Sequence, residues 1–309
     1  MTTRTTRNDR NYQNGRRSCI ENFRQAASIP NVYRCASIDS LSKIMDIDDS
    51  RWTYQERFIL EKVGFILDLR SPSERDESRS KSWIASSSHR ATMVIDRSEC
   101  HLLDRGHRFV ARIDILSPRS LMEYIELNWL RTKEESKNYY RKTFESDRKL
   151  HKLCVEALNE RGLSGLNEAI LESGKEELCR ALQTITNYLE LNPNENVLIH
   201  CVQGKDRTGM LVMLLQVILD VSDEEILVDY LLSNQVKEES AAAERIARKR
   251  GRLHIKTFSG TNQEAMVITL SFLRAKYGSI SPGYLNSIGF DEMWRKRLLQ
   301  VLTSYQSRL

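Results

Sequence analysis

Cysteine pairs, prolines and long apolar runs are scarce in this chain of 309 residues. Its six cysteines (Cys19, Cys35, Cys100, Cys154, Cys179 and Cys201) include no C-x-x-C pair, which excludes the usual zinc-finger spacings. Six in so long a chain is also not the density of a disulfide scaffold. Five prolines and 13 glycines leave little room for flexible linkers. The most apolar stretch, from Met210 to Leu219, is too short to span a bilayer and reads as a buried helix. No signal-peptide core is visible, so a soluble, cytoplasmic protein with reduced thiols is the expectation. A net charge of +5 is too mild to imply a nucleic-acid partner. Against these absences, 40% hydrophobic and 29% charged residues describe a globular domain.

The first 18 residues carry five arginines against one acid and almost nothing apolar. Residues 1–20 are expected to form a disordered basic tail, with an Arg-rich organelle-targeting peptide as the other reading. Residues 21–309 are expected to form a single catalytic domain. In "YQERFILEKVGFILDLRSPSERDES" a helix ending at Phe58–Leu60 is broken by Gly64. A buried strand "GFILDL" follows and stops at Arg70, Ser71 and Pro72. "RFVARIDIL" predicts a second strand, and Arg119 to Leu158 reads as helical throughout. "SGKEELCRALQTITNYLEL" has the clearest helical period, with Ser173 as its expected cap and Pro193 as its stop. A strand over Asn196–His200, a polar loop and a helix from about Thr208 complete the pattern, before a further helix capped at "SDEE". Short buried strands separated by helices indicate an α/β fold with a central, mainly parallel sheet flanked by helices.

The loop "HCVQGKDRTG" carries the chemistry. Ligands gather where a strand of an α/β sheet hands over to a helix N-terminus. Gly204 allows a tight turn that aims successive N–H groups into one concavity, so Val202, Gln203, Gly204, Lys205, Asp206 and Arg207 suit a bound phosphoryl group. Arg207 can fork two of its oxygens. The same amides and the helix N-terminus favour the thiolate of Cys201, which can attack phosphorus and form a phosphocysteine that water hydrolyses. Thr208 is placed to donate a hydrogen bond to the departing sulfur, and His200 to order the loop. Lys205 has two readings: a second cation for multiply phosphorylated substrates, or a loop lysine held by Asp206. No metal or other cofactor is required, because the loop itself neutralises the charge.

"HCVQGKDRTG" resembles the signature loop of the cysteine-dependent tyrosine phosphatases, in the atypical form related to bacterial and fungal tyrosine and phosphoinositide phosphatases. "ENFRQAASIPNVYRCASID", "FILDLRSPSERDE", "VDYLLSN" and "YGSISPGYLNSIGFDEMWRKRL" resemble other segments of that family. "NFRQ" departs from it in lacking the usual Asp, and Cys35 stands where Ser is common. The resemblance implies a three-layer fold with a helical insertion between the early strands and the loop. It also implies hydrolysis of phosphate monoesters, with protein phosphotyrosine first and a phosphoinositide or inositol phosphate second. No Trp-Pro-Asp acid loop is present. The proton donor is therefore open among Asp68, which the resemblance favours unless it pairs with Arg70, then Asp206, then Asp114. An inactive phosphate-binding module and a sulfur-transfer protein are the readings of other classes. The basic segment from Arg245 to Lys256 reads as a solvated helix face or a weak contact for anionic membrane surfaces. A monomer is expected.

Overall fold

The structure, a computed structural model, describes residues 20–39, 53–77, 91–95, 98–103, 108–130, 144–235, 253–258 and 260–306. Positions 1–19 of the expected basic tail and positions 245–252 of the basic segment lie outside the described residues; Ile20 is buried.

Among the described residues the sheet has seven strands: β1 (Arg24–Gln25), β2 (Val32–Cys35), β3 (Val63–Asp68), β4 (Ala91–Ile95), β5 (Ser98–Leu103), β6 (Arg108–Arg112) and β7 (Asn196–His200). Their order is β1-β2-β7-β3-β6-β5-β4. The inner four are parallel, and β1 and the β5–β4 hairpin add antiparallel edges. β3 and β7 sit at the centre, and all six residues of β3 are buried. This explains why "VGFILD" and "NVLIH" read as apolar runs without alternation.

Helix α1 (Tyr54–Lys62) starts at a capping box in which Thr53 accepts from the Glu56 amide and Glu56 returns the bond. It runs directly into β3, so Gly64, expected to break the helix, lies inside the strand; Val63 already has extended backbone. α2 (Pro72–Glu77) follows β3, and α3 (Pro118–Ile125), capped by Ser117, follows β6 and ends in a π turn over Glu126–Leu130. Positions 131–143 of the helix expected to run to Leu158 lie outside the described residues; its later part belongs to α4 (Phe144–Ser173), which bends at Gly162 with φ 61°. α5 (Lys175–Leu191) begins at Gly174 without a side-chain cap, because the Ser173 hydroxyl donates back to Ala169 O at 2.7 Å. α6 (Asp206–Ile218), α7 (Asp223–Leu231), α8 (Gln263–Tyr277) and α9 (Glu292–Gln306) complete the helical layer.

The larger core lies between one sheet face and helices α3–α9, with Phe65, Leu67, Val197, Ile199 and the buried α6 residues Met210–Leu215 at its centre. A smaller cluster on the other face packs Ile59 of α1 against Ile66, Val110, Leu198 and Cys35. The result is the expected three-layer α/β arrangement. Among the described residues, no helix is long and apolar enough to cross a membrane.

Candidate active site

β7 ends at His200, flanked by Cys35 of β2 on one side and Asp68 of β3 on the other. The chain then leaves the sheet as a loop over 201–205 and re-enters order as α6 at Asp206. Three neighbouring strands therefore deliver their C-terminal ends to one edge, where the helix N-terminus opens. Gly204 has φ 64°, and a Cβ there would run into the Cys35 carbonyl. Only glycine meets both constraints. Cys201 is 2% exposed at the base of this loop.

Arg207 lies in the first turn of α6 and is buried. Its Nη1 and Nη2 donate to Oε2 and Oε1 of Glu74 at 2.6 and 3.0 Å, and Nη1 also reaches Leu69 O at 3.2 Å. Burial opposes its charge, but Glu74 and the nearby Cys201 sulfur outweigh it and hold the guanidinium firmly protonated. Glu74 itself is fixed by the "SPSE" turn that opens α2. Its Oε2 accepts from the Ser71 amide at 2.9 Å, while Ser71 Oγ accepts from the Glu74 amide at 3.3 Å. That reciprocal capping box leaves the carboxylate aimed at Arg207. Sequence reasoning did not single out Glu74, although S-x-x-E after a strand was its visible signal.

Asp68, placed first among proton donors unless it pairs with Arg70, makes that pairing. It is 1% exposed, and its two oxygens accept three hydrogen bonds from Arg70: N at 3.0 Å and Nε at 2.9 Å on Oδ1, and Nη2 at 2.9 Å on Oδ2. Burial alone would raise its pKa, but the Arg70 guanidinium and its hydrogen bonds hold the carboxyl well below the ordinary range. A group kept ionised in this way has no proton to give. Arg70 also donates to Asp39 at 2.7 Å, closing a buried ion cluster beside the loop.

Of the two readings of Lys205, the structure shows the arrangement of the loop lysine paired with Asp206. Its ammonium donates to Phe258 O at 2.7 Å and Gly260 O at 2.8 Å and lies 3.1 Å from Asp206 Oδ1, at 1% exposure. Two carbonyl bonds and this ion pair tie the side chain, and with it the loop, to the segment before α8. Thr208 is fully buried, and its hydroxyl finds no hydrogen-bond partner among the described residues. The expected bond to the Cys201 sulfur is not made in this state, but the donor is free to make it. His200 is also fully buried; burial pushes its ring toward the neutral form, and Nδ1 lies 3.4 Å from Cys201 O.

Asp114 stands on the turn between β6 and α3, two residues past the strand that flanks β3. Burial raises its carboxyl above the usual range, partly offset by Arg207 and reinforced by Glu74. Its Oδ1 is buried and finds no hydrogen-bond partner among the described residues. The carboxyl ranked last in the sequence is thus the one of the three candidates whose surroundings shift it toward the protonated form. Among the described residues, no group of three or more His, Cys, Asp or Glu side chains could hold a metal ion.

A family model described as "Tyrosine phosphatase family" matches residues 29–304, which include every residue of this site. A search of curated proteins found no match.

Proposed function

We propose, from the premise that the chain belongs to the tyrosine phosphatase family, that this phosphatase hydrolyses phosphate monoesters through a phosphocysteine on Cys201. The observation that carries the reading is the buried Arg207, locked by the Glu74 fork beside the Cys201 sulfur at the mouth of a glycine-turned loop.

The substrate phosphoryl group sits over the loop, with its oxygens on the Val202–Asp206 amides and the outer edge of Arg207. The Cys201 thiolate attacks phosphorus; the S–P bond forms as the P–O ester bond breaks. Asp114 gives its proton to the leaving oxygen, a role supported by its raised pKa and its electrostatic contact with Arg207 and Glu74. Asp206 is the alternative donor, but it faces the Lys205 ammonium. In the second half, water attacks phosphorus, Asp114 takes a proton from it, and sulfur departs as thiolate with the Thr208 hydroxyl free to turn toward it.

Protein phosphotyrosine is the proposed substrate class, with dual specificity open to it. Tethering of Lys205 takes away the extra cation that would favour a phosphoinositide or inositol phosphate. The test is a panel of phosphotyrosine peptides and phosphoinositides, run without added metal on the wild type, Cys201→Ser and Lys205→Met. Wild-type turnover of the peptides, lost in Cys201→Ser and with the same preference in Lys205→Met, supports the reading. A wild type that binds phosphate mimics but turns over nothing would make the protein a binding module. Preference for phosphoinositides that Lys205→Met abolishes would overturn the substrate assignment.

A further inference from the structure

Three consecutive carbonyls of the loop are engaged from behind by the N-terminal segment. The Ser37 amide donates to Val202 O at 3.0 Å. Asn22 Nδ2 donates to Gln203 O at 3.2 Å and to Gly204 O at 2.7 Å, and Arg34 Nη2 donates to Gly204 O at 2.9 Å. In a trans peptide, the carbonyl of one residue and the N–H of the next point to opposite sides of the same plane. Holding the oxygens of Val202, Gln203 and Gly204 outward therefore turns the N–H groups of Gln203, Gly204 and Lys205 the other way, into the concavity.

The groups that hold the loop are themselves held. Asn22 has φ 58°, a left-handed conformation that asparagine tolerates better than most residues. Arg24 Nη1 donates to Asn22 Oδ1, which orients the amide so that its NH2 faces the loop. Arg24 Nε and Arg34 Nη1 share the Asp229 carboxylate of α7 at 3.1 and 2.6 Å, and both arginines donate to Ser233 Oγ at 3.1 and 3.3 Å. Arg34 and Asp229 are each 1% exposed. Burial, and then repulsion from Arg34, draws Arg24 down to about 10, so it remains charged at neutral pH. Two guanidiniums against one carboxylate leave one net positive charge behind the loop, where its field favours an anion on the other side. In "NFRQ", the string that departs from the family pattern, the asparagine and arginine do this work, while the Gln25 side chain donates to Ile29 O at 3.1 Å.

We propose that Asn22, Arg34 and Asp229 are positioning residues that hold the loop in its anion-accepting form, making the N-terminal segment and α7 part of the catalytic apparatus. The inference rests on the phosphatase reading and adds residues remote in sequence from the loop. Its test uses the full chain with tungstate as a tetrahedral oxyanion probe. Asn22→Asp keeps size and tolerance for left-handed backbone but sets a carboxylate against two carbonyls; Asn22→Gly keeps the backbone and removes the side chain. Tungstate dissociation constants come from calorimetry, KM and kcat from an aryl phosphate, and the fold from circular dichroism. Asn22→Asp is expected to weaken tungstate binding about tenfold and raise KM comparably, and Asn22→Gly roughly threefold, both with native spectra. Two natively folded variants that bind tungstate as the wild type does would overturn the inference alone, as would a lowered melting point with unchanged affinity. A wild type that neither binds tungstate nor turns over the aryl phosphate would remove the phosphatase reading, and the inference with it.

Discussion

Glutamine at position 74 would keep the shape of the side chain that grips Arg207 and remove its charge. Both partners are nearly buried, with side chains 9% and 7% exposed, and the carboxylate accepts two guanidinium bonds at 2.6 and 3.0 Å. Removing one partner of such a pair costs about 3–5 kcal/mol, because the other charge stays buried. Glutamine retains one oxygen for Arg207 or for the Ser71 amide, which places the expected loss near the lower limit, about 3 kcal/mol. At roughly 2–4 °C per kcal/mol for a chain of this size, the melting point should fall by about 6–12 °C. Arg207 would also lose its fixed direction, and kcat/KM on an aryl phosphate should fall by about 10²–10³, the usual effect of losing one preorganised charge-stabilising contact. Ser71→Ala separates the two roles of the turn. It removes the helix cap and the hydroxyl contact to Glu74 Oε2 at 3.1 Å but leaves the Ser71 amide and Arg207 on that carboxylate, so it should cost about 1 kcal/mol and lower kcat/KM far less than Glu74→Gln does. Chemical denaturation and steady-state kinetics on the three proteins provide both readouts. If Glu74→Gln kept its stability within about 1 kcal/mol and its kcat/KM within about threefold, the claim that Glu74 organises Arg207 would be refuted.

Gly204→Ala should fold with a less stable loop and lose most oxyanion affinity, because the new Cβ meets the Cys35 carbonyl at a φ of 64°; tungstate calorimetry checks this. In the proposed mechanism Asp114 acts in its protonated form, so wild-type activity should decline as pH rises through its raised pKa. Asp114→Asn should lack that basic limb. It should be slowed about 10²–10³-fold on phenyl phosphate, yet far less on a substrate whose leaving group needs no proton. Asp68 has the opposite sign. Its folded pKa lies below the unfolded value of about 3.9, so it contributes stability above that pH and loses it as pH falls toward the folded value. Asp68→Asn should therefore be less stable than the wild type at neutral pH and should show a shallower loss between about pH 5 and 2 in denaturation series.

The strand–loop–helix hinge was legible because its signals are local: an apolar run, a glycine, clustered polar residues and a second apolar run lie within 18 positions. Cys201, Gly204 and Arg207 fall where the pattern put them. For Asp68 the sequence offered both a proton donor and a partner of Arg70, and spacing alone could not decide between them; the arginine folds back with three hydrogen bonds. Lys205 depended on carbonyls 53 and 55 residues downstream, which no local pattern displays. Asn22 and Arg34 reach the loop across separations of 170 to 182 residues. Such contacts exist only once β2 has paired with β7, so their function is a property of the sheet order. The β4–β5 hairpin was not read at all; its strands extend a sheet whose parallel centre dominated the apolar signal.

Rapid quenching of the wild type with a radiolabelled aryl phosphate, followed by denaturation and peptide mapping, addresses the chemistry at its source. One phosphoryl group per chain, bound through sulfur at Cys201, absent from Cys201→Ser and strongly reduced in Arg207→Lys, is the predicted result. Turnover with no label on Cys201, or undiminished turnover by Cys201→Ser, would contradict it.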